Sequence, residues 1–136
     1  QHYEQLREIF CGKPVSIIID ETTDKKAHSV INTFFSYQNQ TKLISVDFIS
    51  QVNNVTVGQL VLKTLVEWEI SFTYSYLIVS DSAAYMKKSV REILQPVMSQ
   101  IQHNTCCARI IQLISLNSQD TQQLTFRFMP LPNTTR

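Results

Sequence analysis

Two short apolar runs each end in an aspartate. Val15-Ser16-Ile17-Ile18-Ile19 leads into Asp20, and Tyr76-Leu77-Ile78-Val79-Ser80 leads into Asp81. Both have the length and β-branched content of buried strands. If the two strands are parallel neighbours, their ends lie about 4.8 Å apart. Two carboxylates at that spacing can share one divalent cation. This is the layout of a metal-dependent nuclease or polynucleotidyl transferase site.

Other groups offer weaker chemistry. Lys87, Lys88 and Arg91 make a basic face on the segment after Asp81. With Arg109 they are the candidate phosphate contacts, although an ordinary solvated helix face has the same composition. Cys106, Cys107 and His103, with Cys11 and His28, suggest zinc, but no Cys-x-x-Cys pair exists. A structural zinc site needs four ligands, so buried free cysteines are the simpler reading. Asp24 could assist a cation or simply fix a turn.

The elements that must carry these residues can be read from periodicity. Tyr3, Leu6, Ile9 and Phe10 predict a helix over 2–10, stopped by Gly12-Lys13-Pro14. Strand one ends at Asp20, and the polar stretch 21–28 is a turn. Residues 29–37 and 42–50 form a hairpin across Gln38-Asn39-Gln40-Thr41. A helix over 56–70 presents Val57, Leu60, Val61, Leu65 and Trp68, with Asn54 or Thr56 as its cap. Strand four is 75–80. A long helix follows Asp81 and continues to Ile101, kinked or restarted at Pro96. His103 to Leu116 is a short strand and then a helix, and 117–136 loses periodicity as an irregular, poorly ordered tail.

A hairpin directly after the first strand argues against a doubly wound nucleotide-binding fold, in which a helix would follow. Strands one to three then pair antiparallel. A right-handed crossover returns strand four parallel to strand one, with flanking helices. That mixed α/β sheet is the ribonuclease H-like arrangement. It brings Asp20 and Asp81 together at the carboxyl ends of central strands.

Bulk properties set limits. The chain has 136 residues, 43% of them hydrophobic, which suffices for one core. Twelve Lys and Arg balance eleven Asp and Glu, so net charge carries no strong nucleic-acid signal. No stretch approaches the roughly 18 to 20 apolar residues of a membrane span, so no membrane role is expected. With no secretory signal and three cysteines, two of them adjacent, the chain reads as intracellular and reduced. The sequons at Asn39, Asn54 and Asn133 are then chance matches.

Val15-Ser-Ile-Ile-Ile-Asp-Glu-Thr-Thr-Asp24 resembles the first catalytic block of hAT-superfamily DNA transposases. Leu77-Ile-Val-Ser-Asp-Ser-Ala-Ala-Tyr-Met-Lys-Lys88 resembles the second, and His103 to Arg109, running on through Leu113, resembles the family's Cys-x-x-His segment. The resemblance covers residues 1–116, a partial ribonuclease H-like domain, and extends to transposon-derived host proteins. It implies a nuclear, DNA-binding protein in which Asp, Asp and Glu hold magnesium or manganese to cut and join DNA. Asp20 and Asp81 match the first two acids. Position 109 carries Arg109 in place of the family histidine. The family's third acid lies far downstream and is absent from this chain, as are its zinc-finger and dimerisation regions. Glu21 points away from Asp20 if the strand continues, Glu67 and Glu69 lie on the middle helix, and Glu92 is three turns along the next.

The resemblance therefore implies a degenerate or truncated transposase-like domain without catalysis of its own. Its partners would be DNA, a second copy of the chain or another protein, and residues 1–116 are expected to expose apolar surface. A fragment of an active transposase is the alternative. A third reading is a haloacid dehalogenase-type phosphohydrolase with Asp20 as nucleophile, in which Thr22 stands where that class has its second Asp.

Overall fold

The computed structural model describes residues 2–105. Helix α1 (His2–Phe10) precedes strands β1 (Ser16–Thr23), β2 (Ser29–Tyr37) and β3 (Gln40–Ile49). Helix α2 (Asn54–Glu67), strand β4 (Leu77–Val79), helix α3 (Ala84–Ser89) and strand β5 (Gln102–Asn104) follow. The strands form one sheet in the order β3-β2-β1-β4-β5. β2 runs antiparallel to β1 and β3, whereas β4 is parallel to β1 and β5 to β4. This is the mixed ribonuclease H-like sheet expected from the element order. The helix expected within 103–116, the tail 117–136 and residues Cys106, Cys107 and Arg109 lie outside the described residues.

β1 is central and buried on both faces. Side chains alternate along a strand, so Ile17 and Ile19 face one way and Ile18 the other. On the first face Ile17, Ile19, Ile31 and Phe35 pack against Leu6 and Phe10 of α1, Val57, Leu60, Val61 and Leu65 of α2, and Met86 of α3. Trp68 closes this layer edge-on against Phe35, with ring centroids 6.0 Å apart. The second face holds a smaller cluster of Ile18, Phe34 and Val79, flanked by Leu43 and Leu77. Burying each large aliphatic or aromatic side chain stabilises by about 1.5–3 kcal/mol, so the layer under the helices dominates cohesion. Among the described residues, no helix is long and apolar enough to cross a membrane.

Three sequence expectations need correction. β1 does not stop at Asp20: Asp20, Glu21, Thr22 and Thr23 continue the ladder opposite Asn32, Ile31, Val30 and Ser29. The long antiparallel partner extends the strand through residues that carry no apolar signal. The cap of α2 is Asn53, whose side chain accepts from the Val55 and Thr56 backbone N–H groups while the Thr56 hydroxyl accepts from the Asn53 N–H. The expected long helix after Asp81 is short. α3 gives way to a π-helical stretch at Val90–Leu94, where the Gln95 N–H reaches back to the Val90 carbonyl at 2.8 Å. Pro96 has no N–H to continue the ladder, so the helix widens and ends just before it.

α2 lies close to this π-helical stretch at Gly58. A Cβ built there would sit 2.5 Å from Ile93 Cβ. Gly58→Ala gains up to about 1 kcal/mol of helix propensity but overpacks the contact, typically costing about 1–3 kcal/mol. The expected outcome in urea denaturation is a net loss for Gly58→Ala, partly recovered when Ile93→Ala is added. A stabilised single variant would refute the close approach.

Candidate functional site

The register of β1 and β4 builds the site. Ile17 pairs with Ile78 and Ile18 with Val79. Continuing two residues in the same register brings Asp20 level with Asp81, just past the end of β4. Both belong to the Ile18–Val79 alternation, on the face away from the helices. Each is partly shielded from solvent, and Asp20 Oδ2 is wholly shielded. Asp81 Oδ1 accepts from the Ala83 N–H at 3.0 Å. This bond orients the carboxylate where the chain turns into α3.

Residues outside the expected pair surround it. The hydroxyl of Tyr85, the second residue of α3, donates to Glu21 Oε1. Burial first, then Glu21, and then the charges of Asp81 and Asp20 push the Tyr85 phenol far above its ordinary range, so it keeps its proton. Ser80 is buried and donates to the Asp81 carbonyl at 2.9 Å. His103 Nε2 lies 2.6 Å from Ser80 Oγ. Burial holds the His103 imidazole below its ordinary value, Lys87 adds to the effect, and Asp81 opposes it. Lys87 and Asp81 therefore both lie within electrostatic reach of His103.

The remaining candidates divide. Lys87 and Lys88 are both exposed on α3, and the charge of Lys87 reaches His103. Arg91 is exposed, with Glu92 3.7 Å away. Asp24 accepts the backbone N–H groups of Lys26 (2.9 Å) and His28 (2.7 Å), so it fixes the β1–β2 turn. Glu69 pairs with Arg7 at 3.2 Å, and Glu92 accepts from Asn54 at 3.5 Å. The residues of the zinc reading are dispersed: Cys11 adjoins Arg7 and Glu69, His28 lies in the β1–β2 turn, and His103 bonds Ser80. Among the described residues, no set of three His, Cys, Asp or Glu side chains is arranged to hold a metal. A hairpin, and not a helix, follows β1, which leaves the phosphohydrolase reading without its expected element.

Sequence reasoning missed Glu21 and Tyr85 as a pair, and the tie from His103 to Ser80. Tyr85 had one signal, its position a helical turn after Asp81. His103 became a neighbour of β4 only through the pairing of Ile78 with His103.

No model of a known protein family matches the chain, and no curated protein matches it. Solved structures do resemble it, two of them as follows. One is a chain in the cryo-EM structure of the simian T-cell lymphotropic virus intasome in complex with PP2A regulatory subunit B56 gamma. The TM-score is 0.51 at 13% identity, over 91% of this chain and 44% of that chain. The other is a Bacteroides thetaiotaomicron protein with an actin-like ATPase fold and unknown function, with a TM-score of 0.49 at 11% identity over 92% of this chain. The chain thus spans less than half the length of either, and the intasome likeness bears on fold alone.

The depressed His103 imidazole has a consequence for stability. As pH falls, the unfolded imidazole protonates first, so the unfolded state binds more protons between the two values. Stability is full above the ordinary value of 6.5 and falls as pH drops from there towards the folded value. In urea denaturation at about pH 7.5 and about pH 5, His103→Gln is expected to lose less stability on acidification than wild type. Equal losses would contradict the buried, neutral imidazole.

Proposed function

We propose that the chain carries a divalent-cation site of the DNA-transposase type, of hAT-superfamily kind, with Asp20 and Asp81 as its two carboxylates. The observation that supports this is the register: two aspartates level with each other on neighbouring parallel strands of a ribonuclease H-like sheet. The donor chemistry fits the metal, since carboxylate oxygens are the ligands that Mg2+ and Mn2+ prefer. When bound, such a cation polarises a phosphodiester and lowers the pKa of water.

The protein's own groups have separate jobs in this reading. Asp20, on a strand buried on both faces, is the rigid ligand. Asp81, held by the Ala83 N–H, is the second. Exposed Lys87, Lys88 and Arg91 supply the basic face for a nucleic-acid phosphate. Two carboxylates hold Mg2+ weakly, because the ion keeps most of its waters. Residues 1–136 alone therefore act as a DNA- or protein-interaction module and do not cut DNA. A nuclear location follows from this role.

Amide NMR with Mg2+ and Mn2+ tests the reading. Wild type is expected to show shifts clustered around residues 20 and 81 at about millimolar metal, and Asp20→Ala to lose them. Absence of shifts, or shifts indifferent to Asp20→Ala, would sink the two-carboxylate site. In a plasmid-nicking assay with Mg2+ no cleavage is expected. Nicking abolished by Asp20→Ala would make the chain an enzyme in its own right.

A further inference from the structure

β3 is an edge strand. It pairs with β2 on one side and, among the described residues, with no strand on the other. An open edge is a template for a further strand, and proteins guard it with lysines and bulges. β3 has both. Lys42 sits near its start, and a bulge leaves Ile44 with no residue opposite on β2: Leu43 pairs with Phe34, and Ser45 with Thr33. The strand also has what a guarded edge avoids. Phe48 is 69% exposed, more than any other large apolar side chain among the described residues, and Val46 is 40% exposed. Asp47 Oδ2 has no hydrogen-bond partner.

The bulge sorts the side chains of β3. Residues directly opposite each other in a ladder share a face. Lys42 lies opposite Phe35 and Asp47 opposite Ile31, so both stand on the helix face, where Ile44 also packs. Leu43, opposite Phe34, and Val46, opposite Asn32, stand on the other face, and Phe48 follows Val46 there. Outward from Ile44-Ser45, each half of β3 presents first an apolar residue on one face and then a charge on the other. The two charges have opposite signs.

We propose that β3 is the seam of a homodimer, in which the β3 edges of two copies pair antiparallel about a two-fold axis between Ile44 and Ser45 and continue one sheet through both. The bulge selects a second copy as the occupant. A regular strand laid on this edge would fall out of step at Ile44, and its side chains beyond that point would meet the wrong face. A partner bulged at the same place stays in step throughout, and a two-fold interface supplies that partner by symmetry. In this register Lys42 lies opposite the partner's Asp47 and Leu43 opposite the partner's Val46, and each contact occurs twice. The lysine that guards the edge against other strands gains a counter-charge here, in addition to the interactions it has in its own chain. Moving the register by one residue either way sets Leu43 against Ser45 or Asp47, which stand on the helix face, and takes Lys42 off Asp47.

Sedimentation velocity of the full chain over a concentration series tests the seam. Wild type is expected to pass from monomer to dimer as concentration rises. Lys42→Glu and Asp47→Lys each set like charges opposite one another at two symmetric places, and each is expected to weaken the dimer about tenfold or more. An equimolar mixture of the two variants is expected to regain wild-type association, because every charged contact in the mixed dimer then joins opposite signs. Circular dichroism checks that each variant folds. Should either fail to fold, Lys42→Gln and Asp47→Asn, which remove the charges without reversing them, must each still weaken the dimer. A monomer at every concentration overturns the proposal. So does a dimer indifferent to either substitution, or a pair of monomeric variants whose mixture does not associate.

Discussion

The parallel pairing of β1 with β4 spans only Ile17–Ile78 and Ile18–Val79, and the candidate site depends on it. A ladder this short has little cohesion of its own. It holds because both strands are buried from two sides. Ile17 and Ile78 join the cluster under the helices, while Ile18 and Val79 belong to the smaller cluster opposite. A one-residue slip of β4 would turn Val79 into the wrong layer and carry Asp81 away from Asp20. The apolar pattern of these four residues thus sets the separation of two charged ones.

Past Val79 the register is maintained by polar ties. The Ser80 N–H bonds the Asn104 carbonyl at 3.1 Å, and His103 bonds the Ser80 hydroxyl, so β5 fixes the first residue beyond β4. On the other side Tyr85 bonds Glu21, which fixes α3 to the end of β1. Asp81 lies between these two anchors. Gathering Asp20, Glu21 and Asp81 at one sheet end carries an electrostatic cost that grows with burial. The structure offsets it with donors: the Ala83 N–H on Asp81 and the Tyr85 hydroxyl on Glu21. These bonds hold the carboxylates in place at the sheet end.

The mixed sheet and the juxtaposition of Asp20 with Asp81 were legible because they follow from apolar runs and element order. What was not legible depended on partners distant in sequence. Glu21-Thr22-Thr23 reads as a turn by composition, yet becomes strand because Val30 and Ile31 extend the ladder. The helix after Asp81 has continuous three-and-four periodicity through Pro96, yet the missing N–H of Pro96 widens and ends it. Asn53 was passed over as a cap because its neighbours Asn54 and Thr56 have the same chemistry. Glu21 was set aside correctly on direction, since it does leave the sheet opposite Asp20. Its role emerged only once α3 was seen to bring Tyr85 to that face.

The first aspartate block contains two aspartates, and the structure distinguishes them by where each lies. Asp24 accepts two backbone N–H groups and lies 3.2 Å from His28 Nδ1, all within its own turn. Those bonds lower its pKa, the His28 backbone contact foremost, and bind its oxygens to the turn. A cation there would have to displace them. Asp24 instead closes the β1–β2 turn and sets the register that puts Asp20 opposite Asn32. Asp20 has no such turn to close. It lies on a central strand buried on both faces, level with Asp81 and partly shielded from solvent. The acid that shapes the turn and the acid level with Asp81 are thus four residues apart, and the hydrogen bonds of the turn distinguish them.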